Sequence, residues 1–175
     1  ENFLDVVQSF AEKSFVPITV GGGVRSFADV QIYMANGADK VAVNTGAIED
    51  PALIATIARQ YGTQCVVLSL DARRGAADSY EVFSNFGRTP TGRTPRDWAR
   101  EAVAAGAGEI LVTSIDRDGA LEGYDLDLCR QVSDAVNVPV LICGGAGAWK
   151  HFEQGFVEGG ASAVCTANIY HFTEA

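Results

Sequence analysis

The fold is decided by one sequence unit that occurs twice, as VPITVGGGVRSFADVQIYMANGADKVAVNT (16–45) and as VPVLICGGAGAWKHFEQGFVEGGASAVCTAN (138–168). Each copy has a short apolar run that ends in glycines, then a helical segment, then Gly-Ala and a second apolar run. Glycines at the end of a strand let the backbone approach a ligand and point its N–H groups at an anion. Because the unit occurs twice, the sequence predicts a ligand with two phosphates, one held by each copy.

Apolar runs of strand length alternate with helical segments along the whole chain. The runs are nearly continuous in hydrophobicity, which is typical of parallel strands that are buried on both faces. The predicted strands are Pro17–Val20, Lys40–Asn44, Cys65–Leu70, Glu109–Thr113, Val138–Ile142 and Ala163–Thr166. The predicted helices are Phe3–Lys13, Phe27–Asn36, Pro51–Tyr61, Pro95–Ala105, Leu126–Val136 and Trp149–Glu158. The long polar insertion at 73–93 is expected to be a mobile loop beside the active site.

Such an alternation permits either a doubly wound sheet or a closed barrel. The barrel is favoured, since a polar or glycine cluster follows every predicted strand and the strand ends of a barrel form one face, where its site is built. These clusters are Gly21–Gly23, Asn44-Thr45, Asp71–Arg73, Ser114–Gly119, Gly144-Gly145 and Asn168. We therefore expect an α/β fold, an incomplete (β/α)8 TIM barrel with about six of the eight strands. Residues 1–175 are expected to form a single partial domain that lacks the first two strands and much of the last helix.

Composition narrows the classes of function. The chain of 175 residues has a net charge of −9 and no basic stripe, which argues against nucleic acid or an anionic membrane surface as a partner. No apolar run has the length of a transmembrane helix, and no signal peptide is visible. The four cysteines form no C-x-x-C pair, so we expect free thiols and a cytoplasmic location. The two histidines belong to no spaced ligand set, so a metal is not expected. No cofactor is expected either.

More specific motifs recur in order along almost the entire chain. They are Thr19–Gly23, Gly37–Val41, Asn44-Thr45, Gln64 with Asp71–Arg73, Pro90–Gly92, Gly106–Gly119, Gly123–Asp125, Gly144–Gly147 and His171-Phe172. In this order they resemble the cyclase subunit family of imidazole glycerol phosphate synthase, which acts in histidine biosynthesis and has a barrel of the ribulose-phosphate-binding type. The sister isomerase of the same pathway shares the glycines but usually lacks Asn-Thr and the Asp-Arg-Asp-Gly run, so it ranks lower.

The resemblance implies a lyase that works with a glutaminase subunit in a heterodimer. The glutaminase releases ammonia, which crosses the barrel. The cyclase joins it to a bisphosphorylated ribulosyl formimino carboxamide ribonucleotide. The products are imidazole glycerol phosphate and aminoimidazole carboxamide ribotide. A substrate with two phosphates agrees with the duplicated glycine unit.

The resemblance also implies roles for two aspartates. Asp71 ends a strand at the expected active face, where a carboxylate can move protons. In the family, the aspartate of this motif is one of two acid–base catalysts, and the other lies on a first strand that this sequence lacks. Asp118 is expected to contact the substrate, with Thr113 nearby. The structural alternative for Asp71 is an ion pair with Arg73 or Arg74.

Two groups of residues are expected to hold the phosphates. Gly23, Asn44 and Thr45 form the first group. The second group consists of Gly119, Gly144, Gly145, Ala167 and Asn168. The alternative for each glycine taken alone is the geometry of a tight turn.

Charged residues also stand at the beginnings of two strands, at the face opposite the active site. The resemblance makes Lys40 and Glu109 half of a charged gate for ammonia, and it places Asp39 where it could contact the glutaminase. The structural alternative for Lys40 and Glu109 is an ordinary ion pair.

Several positions depart from the family pattern. Cys143 and Asn168 replace serines, Arg73 replaces a lysine, and Asn85-Phe86-Gly87 differs from the usual His-Gly-Gly. These differences leave two alternatives open. One is a paralogous ammonia-dependent protein of a surface-polysaccharide locus that amidates a sugar. The other is a non-catalytic phosphate-binding barrel that stimulates a partner glutaminase.

Overall fold

A computed structural model describes residues 3–76, 79–167 and 169. The α-helices are α1 (Phe3–Lys13), α2 (Phe27–Ala35), α3 (Thr45–Glu49), α4 (Ala52–Tyr61), α5 (Pro95–Ala105), α6 (Leu126–Ser133) and α7 (Trp149–Val157). The strands are β1 (Thr19–Gly21), β2 (Lys40–Val43), β3 (Val66–Arg74), β4 (Tyr80–Ser84), β5 (Thr89–Pro90), β6 (Glu109–Ser114), β7 (Val140–Cys143) and β8 (Ala163–Val164). A short 3-10 turn, Thr63–Cys65, leads into β3.

Six parallel strands form a curled sheet in the order β1-β2-β3-β6-β7-β8. Each strand pairs in parallel with the next one along this path, and helices lie between successive strands. A doubly wound sheet would reverse its strand order at a switch point, whereas this order follows the chain throughout. The expected incomplete (β/α)8 barrel is therefore confirmed, with six of its parallel strands among the described residues.

The segment 73–93, expected from the sequence to be a mobile loop, contains a β-hairpin. β3 continues to Arg74, and its end pairs antiparallel with β4, which pairs antiparallel with β5. Tyr80 and Val82, two residues apart on β4, are both buried, so one face of the ribbon packs on the domain. Tyr80 donates a hydrogen bond of 2.7 Å to the buried Asp125, which also caps α6 by accepting from the Leu128 N–H. This contact anchors the hairpin beside α6.

The core lies between the outer face of the sheet and the helices. Side chains that alternate along the strands, such as Val41, Leu68 and Ile110, are fully buried there. Burying an aliphatic side chain of this size contributes about 1.5–3 kcal/mol. The opposite, inner face of the strands includes small or polar residues that are only partly buried, such as Ala42 and Ser69.

Helix boundaries agree closely with the signals in the sequence. α5 has Pro95 in its first turn, Thr94 caps it by accepting from the Asp97 N–H, and Gly106 ends it in the left-handed conformation. α4 begins one residue later than expected, because Pro51 is its N-cap and the Asp50 carboxylate accepts from the Ala52 N–H. In the part of the chain that the structure describes, no helix combines the length and apolar character needed to cross a membrane.

Candidate functional site

A cavity of about 420 Å³ opens at the carboxyl ends of β1, β2 and β3. Its walls come from the glycine turn at 21–23, from Asn44 and Thr45 after β2, from Asp71 on β3 and from the tip of the β4–β5 hairpin. Its floor consists of inner-face residues of the strands, among them Ala42 and Ser69. The cavity therefore joins three of the sequence clusters that the parallel strands bring to one edge.

The alternation of β3 directs Asp71 into this cavity. Leu70 and Ala72 are fully buried in the core, so the residue between them points to the inner face. Asp71 is directly opposite Thr113 on β6 and Phe83 on β4. The carboxylate is thus held in the middle of a paired strand, and its backbone is fixed on both sides.

The surroundings of Asp71 favour a carboxyl group that exchanges protons. Burial raises its pKa above the ordinary value, a hydrogen bond from Asn44 lowers it in part, and the nearby charge of Asp118 raises it further. The Asn44 Nδ2 donor lies 2.9 Å from Asp71 Oδ2. An ion pair with the neighbouring arginines does not account for Asp71, since Arg73 pairs with Asp116 at 3.6 Å and Arg74 with Asp127 at 3.2 Å. A raised pKa brings a carboxyl group closer to the neutral pH at which it can act as acid and base.

The first glycine copy opens onto the cavity. Gly22 and Gly23 have φ angles of 95° and 77°, and a Cβ on either of them would meet open space. Gly23, Asn44 and Thr45, the residues expected to hold the first phosphate, all line the same cavity. Their N–H groups could therefore reach an anion there.

Asn44 and Thr45 have contacts that the sequence did not reveal. Asn44 donates to Asp71, and its buried Oδ1 has no hydrogen-bond partner among the described residues. Thr45 begins α3, and its Oγ1 accepts from the Asn85 N–H at 2.9 Å. The pair therefore positions the carboxylate and the hairpin, in addition to facing the cavity.

The second glycine copy is packed differently. Gly144 and Gly145 are buried. A Cβ on Gly145 would lie 2.3 Å from the carbonyl oxygen of Gly123, whose N–H donates to the Gly145 oxygen at 2.7 Å. Gly119, by contrast, has a φ angle of 79° and open space at its Cβ position. The close approach of the two loops is therefore one physical reason why position 145 requires glycine.

The other described residues that were expected to contact the substrate or the second phosphate lie on β6, on the loop that follows it and after β8. Thr113 on β6 is paired with Asp71 of β3 on one side and with Cys143 of β7 on the other. Asp118 is exposed on the loop that follows β6. Ala167 is exposed after β8. Asn168 lies outside the described residues, and so does His171.

An ion pair spans the opposite end of the sheet. Lys40 begins β2 and Glu109 begins β6, and their side chains form a half-buried ion pair across β3. Asp39 is exposed and accepts a hydrogen bond of 2.8 Å from the Ile18 N–H. Glu109 pairs with Val67, four residues before Asp71, so the ion pair lies about 13 Å along the strand from the carboxylate.

Several cavity residues were not identified as part of the site from the sequence, and two of them carry a charged or an aromatic group. Phe86, at the hairpin tip, and Arg25, after the glycine turn, both line the cavity. Phe86 could have been noticed as an aromatic residue in a turn of Asn and Gly, but its place above the cavity depends on the fold of the hairpin. Among the described residues, no three His, Cys, Asp or Glu side chains cluster in a way that could hold a metal ion.

Comparisons with known proteins agree on a single family. A family model described as histidine biosynthesis protein matches residues 1–175. The imidazole glycerol phosphate synthase subunit HisF of Alkaliphilus metalliredigens is 47% identical over 171 residues, which cover 98% of this chain and 68% of that protein. The protein of the same name from Hyphomonas neptunium is 51% identical over 172 residues, with the same coverage of both chains.

Proposed function

We propose a function for this chain, which belongs to the family of histidine biosynthesis proteins. The chain is the cyclase subunit of imidazole glycerol phosphate synthase, a lyase. One observation links this function to particular residues. Asp71, with its raised pKa, shares one cavity with the open glycine turn at 21–23.

Asp71 is the acid–base catalyst of the reaction. Attack by ammonia, formation of an imine and closure of the imidazole ring each require that a proton move. Burial keeps the carboxyl easy to protonate, while the hydrogen bond from Asn44 holds one of its oxygens in a fixed position. Thr113 and Asp118 lie beside it and contact the substrate.

The two phosphates of the substrate bind at separate sites. The N–H groups near Gly23, together with Asn44 and Thr45, hold one of them, and the open geometry of Gly22 and Gly23 supports this assignment. The other binds beside the loop after β6, at Gly119, Gly144, Gly145, Ala167 and Asn168. This arrangement gives each copy of the glycine unit one end of a bisphosphorylated ligand.

Ammonia enters from the opposite end of the barrel. A glutaminase subunit docks there and forms a heterodimer, with Asp39 at the contact. The Lys40–Glu109 pair is part of a gate, and its position at the amino ends of β2 and β6 supports this role. The four free cysteines support a cytoplasmic location for the complex, and the reaction needs no cofactor.

The test is turnover by a completed chain, in which this sequence is joined to the remaining part of the Alkaliphilus relative. With ammonium salts and the bisphosphorylated substrate, we expect imidazole glycerol phosphate and aminoimidazole carboxamide ribotide in equal amounts. Asp71→Asn should lower this turnover roughly 10²–10⁴-fold, whereas Asp134→Asn, a change at an exposed residue outside the cavity, should not lower it. Amidation of a sugar acceptor without formation of imidazole glycerol phosphate would refute the proposal and favour the polysaccharide paralogue.

A further inference from the structure

The tip of the β4–β5 hairpin has a backbone conformation that suits two of its residues and not the third. Asn85, Phe86 and Gly87 have φ angles of 51°, 59° and 73°, all in the left-handed region. Glycine adopts this region freely and asparagine does so with little cost, whereas a bulky residue rarely does. The middle position of this turn would therefore be better filled by glycine if the turn alone mattered.

Burial does not compensate for the strain at Phe86. Its side chain is 80% exposed, so the ring gains little from the hydrophobic effect. A residue whose backbone conformation is unfavourable and whose aromatic ring is exposed to water does not stabilise the fold. Departures from local rules of this kind concentrate at functional sites.

The structure places Phe86 at the edge of the cavity. Phe86 lines the same cavity as Asp71 and the glycine turn. The residue before it is fixed at two points, because the Asn85 N–H donates to Thr45 Oγ1 at 2.9 Å and Asn85 Oδ1 accepts from Arg25 at 3.2 Å. The tip is therefore tied to both walls that hold the first phosphate.

We propose that Phe86 is a specificity-determining residue whose ring stacks on the planar imidazole-carboxamide group of the ligand. The role rests on the proposed function, which supplies a ligand with such a ring and a phosphate. With the phosphate at the glycine turn, the heterocycle lies between the aromatic face of Phe86 and the wall that contains Asp71. Stacking of this kind requires a flat π-surface, which a glycine or an aliphatic side chain does not offer.

The test compares two ligands in the completed chain by calorimetric titration. Aminoimidazole carboxamide ribotide carries a ring and one phosphate, while ribose 5-phosphate carries the phosphate without the ring. Phe86→Leu and Phe86→Gly should weaken binding of the ribotide about 5- to 150-fold. The affinity for ribose 5-phosphate should not change. Phe86→Tyr should retain the affinity for the ribotide.

Two controls separate binding from stability. Phe10→Leu makes the same change at another phenylalanine, 63% exposed on α1 and away from the cavity, and should alter neither affinity. Phe86→Gly should melt no lower than wild type, because glycine relieves the left-handed strain. Wild-type affinity for the ribotide in Phe86→Gly, or an equal loss for both ligands, overturns the stacking role. If the wild-type chain binds neither ligand, the proposed function itself fails, and the stacking role fails with it.

Discussion

Substitution of Gly145 by alanine should damage the fold much more than the same change at Gly23. Both glycines belong to the repeated unit, and both have left-handed φ angles, 105° and 77° respectively. Their surroundings differ. A Cβ at Gly145 would lie 2.3 Å from the Gly123 carbonyl oxygen and 3.0 Å from Arg117 Cβ, whereas a Cβ at Gly23 would meet nothing within 4 Å.

These distances set the size of the effect. The left-handed conformation costs an alanine about 1–2 kcal/mol at either position. At Gly145 the two loops must also separate, and overpacking of this kind costs about 1–3 kcal/mol more. Gly145→Ala should therefore lower the free energy of unfolding by about 2–5 kcal/mol and Gly23→Ala by about 1–2 kcal/mol.

Urea denaturation of the two variants in the completed chain measures this difference. Since the exposed surface is unchanged, both variants should unfold with the slope of the wild type but at lower midpoints, and Gly145→Ala should have the lowest. Gly23→Ala should in addition weaken binding of a bisphosphate, because its Cβ enters the space next to the loop N–H groups. Equal losses of stability at the two positions would refute the reasoning that loop packing is the reason for Gly145.

Three further predictions concern charges and thiols. Asn44→Ala removes the hydrogen bond that lowers the pKa of Asp71. The limb of the pH–rate profile that Asp71 sets should therefore move to higher pH. A limb at the same or a lower pH would contradict the positioning role of Asn44. Lys40→Met leaves Glu109 unpaired at the proposed gate. Turnover with glutamine and the glutaminase should therefore fall, while turnover at saturating ammonium stays within a few-fold of wild type. Equal losses in the two assays would argue against a gate. Burial, together with the nearby Cys165 and Asp118, raises the pKa of the Cys143 thiol from 9.0 to about 11. Alkylation of Cys143 by iodoacetamide should therefore keep accelerating up to about pH 11. A plateau of the alkylation rate near pH 9 would contradict this.

The architecture could be predicted because its signals are local. Continuous apolar runs, the proline and cap of α5 and the glycine that follows it each depend on a few neighbouring residues. The hairpin was missed because the segment 73–93 is rich in polar and turn residues. Its strand pattern, with buried Tyr80 and Val82, is too short to be noticed without the end of β3 beside it.

The positions of candidate site residues could be predicted better than their contacts. Strand ends meet on one face, so Asp71 and Asn44 were expected on the same face of the barrel. That Asn44 donates to Asp71, 27 residues along the chain, depends on the register of β2 against β3. The packing of Gly145 against Gly123 likewise depends on how two loops cross, which a repeated sequence pattern does not reveal.

The central claim is that Asp71 moves protons in the cyclase reaction and does not hold the substrate. The most direct test measures kcat and substrate affinity together for Asp71→Asn in the completed chain, with ammonium as the nitrogen source. Loss of general acid–base catalysis predicts a fall in kcat of roughly 10²–10⁴-fold, with the affinity for the bisphosphate nearly unchanged. A kcat within a few-fold of wild type would contradict the claim, and so would a loss confined to substrate binding.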